Sequence, residues 1–282
     1  MRWKPRGRSA NLEDRRGANL GARSGVRLGL GGVVLLLVLS VLFKRDFFTL
    51  LDAGGAGAAL PATGSPGIDE EEPMVQFVSF VLDDAQGLWA RLLPEAGVQY
   101  RDAKLVLFRD VVQSACGFAQ AASGPFYCPS DQKVYIDLGF YDELRSRFGA
   151  PGDFAQAYVL AHEIGHHVQS LLGTDAQVRS VQRSRPELAN EFSVRLELQA
   201  DCYAGIWARS TAQRDMLQQG DMEEGLGAAA AVGDDRIQRM SGQYVNPDAF
   251  THGSSDQRVA WFRRGFSTGR MDACDTFSSG NL

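Results

Sequence analysis

The chain has 282 residues, of which 44% are hydrophobic, and its formal net charge is −5. This length allows one domain of ordinary size with a sizeable core, together with additional segments. The charge is unevenly divided, because residues 1–27 contain eight Lys or Arg and only two acidic residues. The remainder of the chain is therefore strongly acidic, which excludes a basic nucleic-acid-binding protein.

Residues 28–43 contain no charged side chain. The length of this apolar run lies between that of a signal-peptide core and that of a full transmembrane span of about 20 residues. Lys44, Arg45 and Asp46 follow it directly, which favours an uncleaved transmembrane helix; a signal peptide cleaved near residues 56–59 is the alternative. The positive-inside rule then predicts a cytoplasmic segment 1–27 and places everything after Phe43 across the membrane.

Residues 44–73 are rich in Gly, Ala and Pro and end in an acidic run, which is typical of a flexible linker. We expect one domain at residues 74–282. In chain order its predicted elements are a helix at 74–93, a strand at 104–108, a hairpin at 126–138, and helices at 153–172, 186–208, 222–240 and 255–266. Residues 174–185 are predicted as a loop or a short helix, and Asp153, Asp221 and Ser254 as N-terminal helix caps. The pattern predicts an α+β fold, predominantly helical, with a small antiparallel sheet or hairpin after one transmembrane helix.

The four cysteines, Cys116, Cys128, Cys202 and Cys274, are an even number in a domain predicted to be exported, which favours disulfides over buried free thiols. Three pairings are possible. We favour Cys116 with Cys128, because they bracket a short loop, and Cys202 with Cys274, which would tie the C-terminal region to a central helix.

His162, Glu163 and His166 form the pattern H-E-x-x-H. Residues at i and i+4 of a helix lie on one face, so both imidazoles can bind one zinc ion while Glu163 lies beside it as a general base. His167 points about 100° away from His166 around the helix. We therefore assign His167 a structural or supporting role.

Catalytic zinc usually has three protein ligands and an open position. Glu197 and Asp201 share one face of the helix predicted at 186–208. We predict that Glu197 is the third ligand. Asp201 would accept the remaining ring N–H of a zinc-binding histidine, which we expect to be His162.

With these motifs the sequence resembles the gluzincin class of zinc metallopeptidases, and more narrowly the neutral zinc metallopeptidases of bacteria, a membrane-anchored family. The narrower resemblance also rests on the segments 1–3, 13–17, 126–129 and 133–137, with Ser9 and Asn11. It implies peptide-bond hydrolysis with one zinc ion and a peptide or protein substrate. Together with the charge bias it implies a single-pass protein of the bacterial cytoplasmic membrane whose catalytic domain is periplasmic or extracellular.

Gluzincins typically stabilise the reaction's oxyanion with a His or a Tyr. The resemblance therefore implies such a residue in the irregular segment 242–253, where His252 is our first choice and Tyr244 the second. The alternative is that His252 only caps a neighbouring helix. For the whole protein, the alternative to a membrane-anchored metallopeptidase is a non-catalytic, zinc-stabilised envelope protein that acts as an interaction or assembly partner.

Overall fold

The computed structural model describes residues 1–17, 69–120, 124–146, 148–150 and 152–278. The chain divides into two compact units, one made of residues 1–17 with 72–282 and the other of residues 18–71. The predicted transmembrane helix at 28–43 and most of the predicted linker lie outside the described residues. Among the helices that are described, none is both long and apolar enough to span a membrane.

Residues 1–17 belong to the same unit as the predicted domain, which differs from the sequence-based division at residues 27 and 74. Strand β1, Leu12–Asp14, pairs in parallel with β2, Lys104–Phe108, so that Leu12 lies opposite Leu105. The Trp3 ring packs against Phe77, with ring centroids 5.3 Å apart. The excess of positive charge concealed this role in the sequence, and a three-residue strand has no detectable periodicity.

The main sheet has the strand order β1-β2-β6-β5. Strand β5, Phe126–Cys128, runs antiparallel to β6, Lys133–Asp137, which confirms the predicted hairpin. However, β1, β2 and β6 are mutually parallel, so the sheet is mixed rather than antiparallel. Parallel strands need a long connection, and here the connection from β2 to β6 contains a separate hairpin of β3, Val111–Ser114, and β4, Gly117–Gln120.

Helices form most of the remaining described chain, which confirms the predominantly helical α+β prediction. They are α1 Glu72–Leu92, α2 Gly139–Ser146, α3 Asp153–Leu172, α4 Thr174–Ser184, α5 Ala189–Gln213, α6 Asp221–Ala231, α7 Asp234–Met240 and α8 Ser255–Thr268. The predicted helix at 222–240 is thus two helices. Gly233 between them has extended backbone geometry, and a Cβ there would lie 2.4 Å from the Ser255 nitrogen. This contact with α8 redirects the chain.

Of the three predicted caps, only Ser254 serves as one, in a capping box with Gln257. Helix α3 instead begins after Gly152, and the Glu224 carboxylate accepts a hydrogen bond from the Phe154 N–H at 3.2 Å. Asp153 instead accepts a hydrogen bond from the α-amino group of Met1 at 2.5 Å. Helix α6 begins after Gly220 without a side-chain cap. The acidic residues at these helix starts therefore join separate parts of the chain.

Helix α3 is buried along most of its length, and its neighbours include α1, α5 and α6. Phe154 at its start stacks on Trp207 of α5, with ring centroids 5.6 Å apart. Helix α8 approaches α5 so closely that a Cβ at Gly265 would lie 1.9 Å from the Cys202 carbonyl oxygen. The polar residues described next lie mainly on the packed helices α3, α5 and α8.

Candidate metal centre

The structure brings the two histidines of H-E-x-x-H together with Glu197. His162 and His166 lie one turn apart on α3, with ring centroids 4.7 Å apart. The Glu197 carboxylate on α5 is 3.1 Å from His162 Nε2 and 3.3 Å from His166 Nε2. One ligand atom from each residue falls within 4.8 Å of the others, which is the spacing expected of a metal site.

A close helix crossing sets this spacing. A Cβ at Gly165, which lies between the histidines in the sequence, would be only 3.0 Å from the Ala200 carbonyl oxygen. The backbones of α3 and α5 therefore approach each other where no side chain separates them. Glu197 lies about one turn before Ala200 and so reaches the histidines.

Each histidine has a partner at its Nδ1 atom. His162 Nδ1 is 2.9 Å from Asp201 Oδ1, as the sequence predicts, and His166 Nδ1 is 2.8 Å from Gln169 Oε1. Because both acceptors bind an Nδ1–H, the neutral tautomer of each ring presents its Nε2 lone pair to the shared site. Gln169 was not predicted, although its i+3 position after His166 was a usable signal.

Arg258 of α8 binds the Asp201 carboxylate. Its Nε donates to Asp201 Oδ2 at 2.8 Å and its Nη2 to Oδ1 at 3.0 Å, while the Tyr158 hydroxyl also donates to Oδ1. All three side chains are buried. Sequence reasoning missed Arg258, yet it lies on the same helix face as Trp261, Phe262 and Gly265. An arginine on an otherwise apolar face indicates a buried carboxylate partner.

The charged side chains of the candidate metal centre shift one another's pKa values. Burial alone would raise the pKa of Asp201, but the Arg258 guanidinium and the His162 imidazole outweigh burial and lower it. For His162 burial acts in the lowering direction, but Asp201 and Glu197 outweigh it and raise the pKa to about 10. Glu197, which would bind a cation, and Asp201, which orients His162, therefore both favour protonated imidazoles when no cation competes.

Glu163 lies beside these residues but is not one of the three that share the site. It is buried, and burial is the main cause that raises the pKa of its carboxyl group. Together with the three it lines a cavity of about 630 Å³. The apolar part of the cavity wall includes Phe126, Tyr127, Phe140, Phe148, Val159 and Ile237.

The remaining predicted polar residues separate into two groups. His252 also lines the cavity, where its half-exposed ring is 3.2 Å from Asp234 Oδ1 through Nδ1. Tyr244, the second choice, is 98% exposed and does not line the cavity. The exposed loop around residues 241–249 carries it away from the site, so the structure does not support Tyr244 as an oxyanion donor.

His167 is fully buried and lies on the sheet side of α3. Its Nε2 donates to the Arg101 carbonyl oxygen at 2.6 Å, and its Nδ1 accepts from the Tyr127 hydroxyl at 3.0 Å. Burial lowers its pKa, which keeps the ring neutral. His167 thus joins β5 to the helix that carries His162 and His166, in agreement with a structural role.

Both favoured disulfides are present. Cys116 is bonded to Cys128, which joins the β3-β4 hairpin to β5. Cys202 of α5 is bonded to Cys274 near the C-terminus. The second bond lies one residue after Asp201 and therefore fixes the part of α5 that carries the acidic residues of the site.

Comparison with known proteins agrees with this geometry. Residues 1–277 match the family model described as "Putative neutral zinc metallopeptidase". The chain belongs to this family. It is 45% identical over 284 residues to "Uncharacterized protein YpfJ" of Escherichia coli K12, covering 98% of this chain and 99% of that protein. It is 42% identical over 211 residues to "Uncharacterized protein Rv2575" of Mycobacterium tuberculosis H37Rv, covering 71% of this chain and 69% of that protein. No solved structure matches the chain.

The family implies zinc, and the residues fit it. Two imidazole nitrogens and one carboxylate oxygen are a donor set typical of catalytic zinc. The Asp201 and Gln169 contacts orient both rings in the way that zinc-binding histidines require. His162, His166 and Glu197 are therefore the residues that would hold the ion.

Proposed function

We propose that this protein is a zinc-dependent metallopeptidase in which Glu163 is the general base. The observation that carries the proposal is the position of Glu163, which is buried at the cavity wall next to His162, His166 and Glu197 yet is not one of these three. Structural zinc sites usually have four ligands and are closed. A site with three protein donors that opens into a cavity is instead typical of catalysis.

Zinc held there would supply a Lewis acid that polarises a peptide carbonyl and makes water more acidic. Glu163 would take a proton from the attacking water and pass it to the leaving amine. Burial raises its pKa, which makes the Glu163 carboxylate a stronger base toward that water than an exposed glutamate would be. His252, on the cavity wall, would donate a hydrogen bond to the developing oxyanion.

Strand β5 offers a place for the substrate. It is the terminal strand of the main sheet, and both Phe126 and Tyr127 line the cavity. An extended peptide would add to β5 on the edge that faces away from β6, by main-chain hydrogen bonds, with its side chains against the aromatic wall. This arrangement favours unfolded or extended segments of proteins as substrates.

We further propose that the protein is associated with a bacterial cytoplasmic membrane through residues 28–43 and that its catalytic unit lies outside the cytoplasm. The apolar run supports the first part. The two disulfides support the second, since disulfides persist in oxidising compartments.

The test compares the full-length protein with its Glu163→Gln variant. The full chain is needed because residues 1–17 are part of the folded unit. We expect both proteins to bind zinc equally, because Glu163 is not a ligand, and only the wild type to cleave an unfolded protein such as casein. Zinc content and the rate of cleavage are measured on the same preparations.

His166→Ala is the matched control, since it should lose both zinc and cleavage. If the wild type binds zinc but neither casein nor a broad peptide library is cleaved, the peptidase proposal fails and the non-catalytic, zinc-stabilised partner role replaces it. Equal cleavage by wild type and Glu163→Gln would instead exclude Glu163 as the base.

A further inference from the structure

We infer that residues 1–17 and residues 72–282 lie on the same side of any membrane with which the chain associates. The apolar run at 28–43 lies between these two parts in the sequence. A single crossing by that run would place the two parts on opposite sides. The described contacts between them are incompatible with this arrangement.

The strongest of these contacts is the pairing of β1 with β2. Three residue pairs, from Leu12 with Leu105 to Asp14 with Leu107, hold the N-terminal strand at the edge of the main sheet. Neighbouring strands are about 4.8 Å apart, whereas the hydrocarbon core of a bilayer is about 30 Å thick. Strands on opposite sides of a membrane cannot pair.

Side-chain contacts along the whole N-terminal segment agree with the strand pairing. The Ser9 hydroxyl donates to Asp83 at 2.5 Å, and Lys133 Nζ donates to Glu13 Oε1 at 2.8 Å. Trp3 packs on Phe77 and Phe80 of α1, which begins at residue 72. The segment is thus held by apolar and polar contacts with α1 and by an ionic contact with β6.

The same contacts explain why the charge pattern is misleading. The positive-inside rule treats basic residues near an apolar run as free charges. Arg8 is paired with Glu72 and Asp14, and Arg15 with Glu13. Because these arginines form ion pairs in the folded unit, counting them does not indicate that the segment lies in the cytoplasm.

It follows that between Gly17 and Glu72 the chain either does not cross the membrane or crosses it an even number of times. The single-pass arrangement with a cytoplasmic N-terminus and an exported domain is therefore replaced by one in which both parts share a compartment. The inference does not depend on catalysis, because none of the contacts it uses involves His162, Glu163, His166 or Glu197.

Membrane-impermeant maleimide labelling of variants that each carry one introduced cysteine tests the inference. All four native cysteines are in disulfides, so an introduced thiol is the reactive group, and the parent protein is the blank. Arg6→Cys reports on the N-terminal segment and Arg263→Cys on the domain, since both positions are exposed. Lys4→Cys and Asp256→Cys, also exposed, provide a second pair.

The full-length variants are labelled in intact spheroplasts and, for comparison, after lysis. We expect the two reporters of each pair to give the same result, either both labelled before lysis or both labelled only after it. Labelling of one reporter before lysis and of the other only after lysis would overturn the inference. Activity is not part of the readout, so failure of the peptidase proposal leaves this test intact.

Discussion

At the scale of single residues, the candidate site consists of a metal-binding set and the groups that orient it. His162 and His166 lie on one face of α3 because of their spacing, which the sequence predicts because helical periodicity is a local property. Glu197 reaches them because α3 and α5 cross closely at Gly165. Arg258 is different, because it reaches Asp201 from a helix 57 positions later. Only the packing of α8 on α5 creates that contact, so residue spacing could not reveal it.

Replacing Arg258 should weaken zinc binding without removing a ligand. In Arg258→Met, Asp201 keeps its contacts with Tyr158 and His162 but loses its buried cationic partner, so the carboxylate holds His162 less firmly. Loss of such a supporting contact typically costs about 10–100-fold in metal affinity. Arg258→Lys should retain part of the affinity, because lysine keeps the charge but not the bidentate contact.

Competition with a fluorescent zinc chelator measures the affinity of each Arg258 variant. Arg263→Met, on the exposed side of the same helix, is the control and should match the wild type. Unchanged affinity in Arg258→Met would show that Asp201 orients His162 unaided.

Zinc affinity should also fall as the pH is lowered. The pKa of His162 is raised to about 10, and that of His166 is also raised, because neighbouring carboxylates outweigh burial. Zinc must therefore displace protons, and the apparent affinity should fall about tenfold per pH unit for each proton displaced. The same chelator assay between about pH 6 and pH 8 measures the slope. Asp201→Asn should give a shallower slope, whereas identical slopes would contradict this account.

At the scale of secondary-structure elements, the sequence predicted best those elements that carry their own signals. Helix α8 has its capping box and α3 its glycine stop at Gly173, and both were located closely. The division between α6 and α7 was missed because it results from contact of Gly233 with Ser255. The parallel pairing of β2 with β6 also depends on contacts between distant parts of the chain. The sequence does not predict it, because the residues of a strand do not specify its partner strand.

The crossing of α5 and α8 gives a prediction of this kind. Gly265→Ala should destabilise the fold by about 1–3 kcal/mol or more, because the new methyl group would collide with the Cys202 carbonyl, which is backbone and cannot move aside. Gly227→Ala in α6 is the matched control. It meets no atom within 4 Å and should stabilise its helix by up to about 1 kcal/mol.

Urea denaturation of the full-length proteins measures both glycine variants. Equal free energies of unfolding for Gly265→Ala and the wild type would show that the two helices can separate at little cost.

At the scale of the whole molecule, the N-terminal segment 1–17 is an integral part of the folded unit that contains residues 72–282. It completes the main sheet through β1 and covers α1 with Trp3. Composition favoured a separate basic segment, because charge counts carry no information about tertiary partners. A fragment that starts at residue 72 would therefore lack one strand and part of its apolar cover.

Trp3→Ala should lower the free energy of unfolding by roughly 1–3 kcal/mol, less than a fully buried tryptophan would, because Trp3 is only half-buried. The reason is the loss of its ring contacts with Phe77 and Phe80. Denaturant titration of the full-length variant provides the measurement, with the exposed neighbour Lys4→Ala as control. Equal stability of Trp3→Ala and Lys4→Ala would mean that the segment is undocked in solution.

The β1-β2 pairing also determines how long β1 must wait for its partner strand during protein synthesis. Leu105 leaves the ribosome about 90 residues after its partner Leu12. At a synthesis rate of about 5–20 residues per second, the first strand waits roughly 5–20 s for the strand beside which it belongs. Residues 12–14 thus emerge well before the strand with which they pair, and a holding chaperone acting on them would have that interval in which to bind.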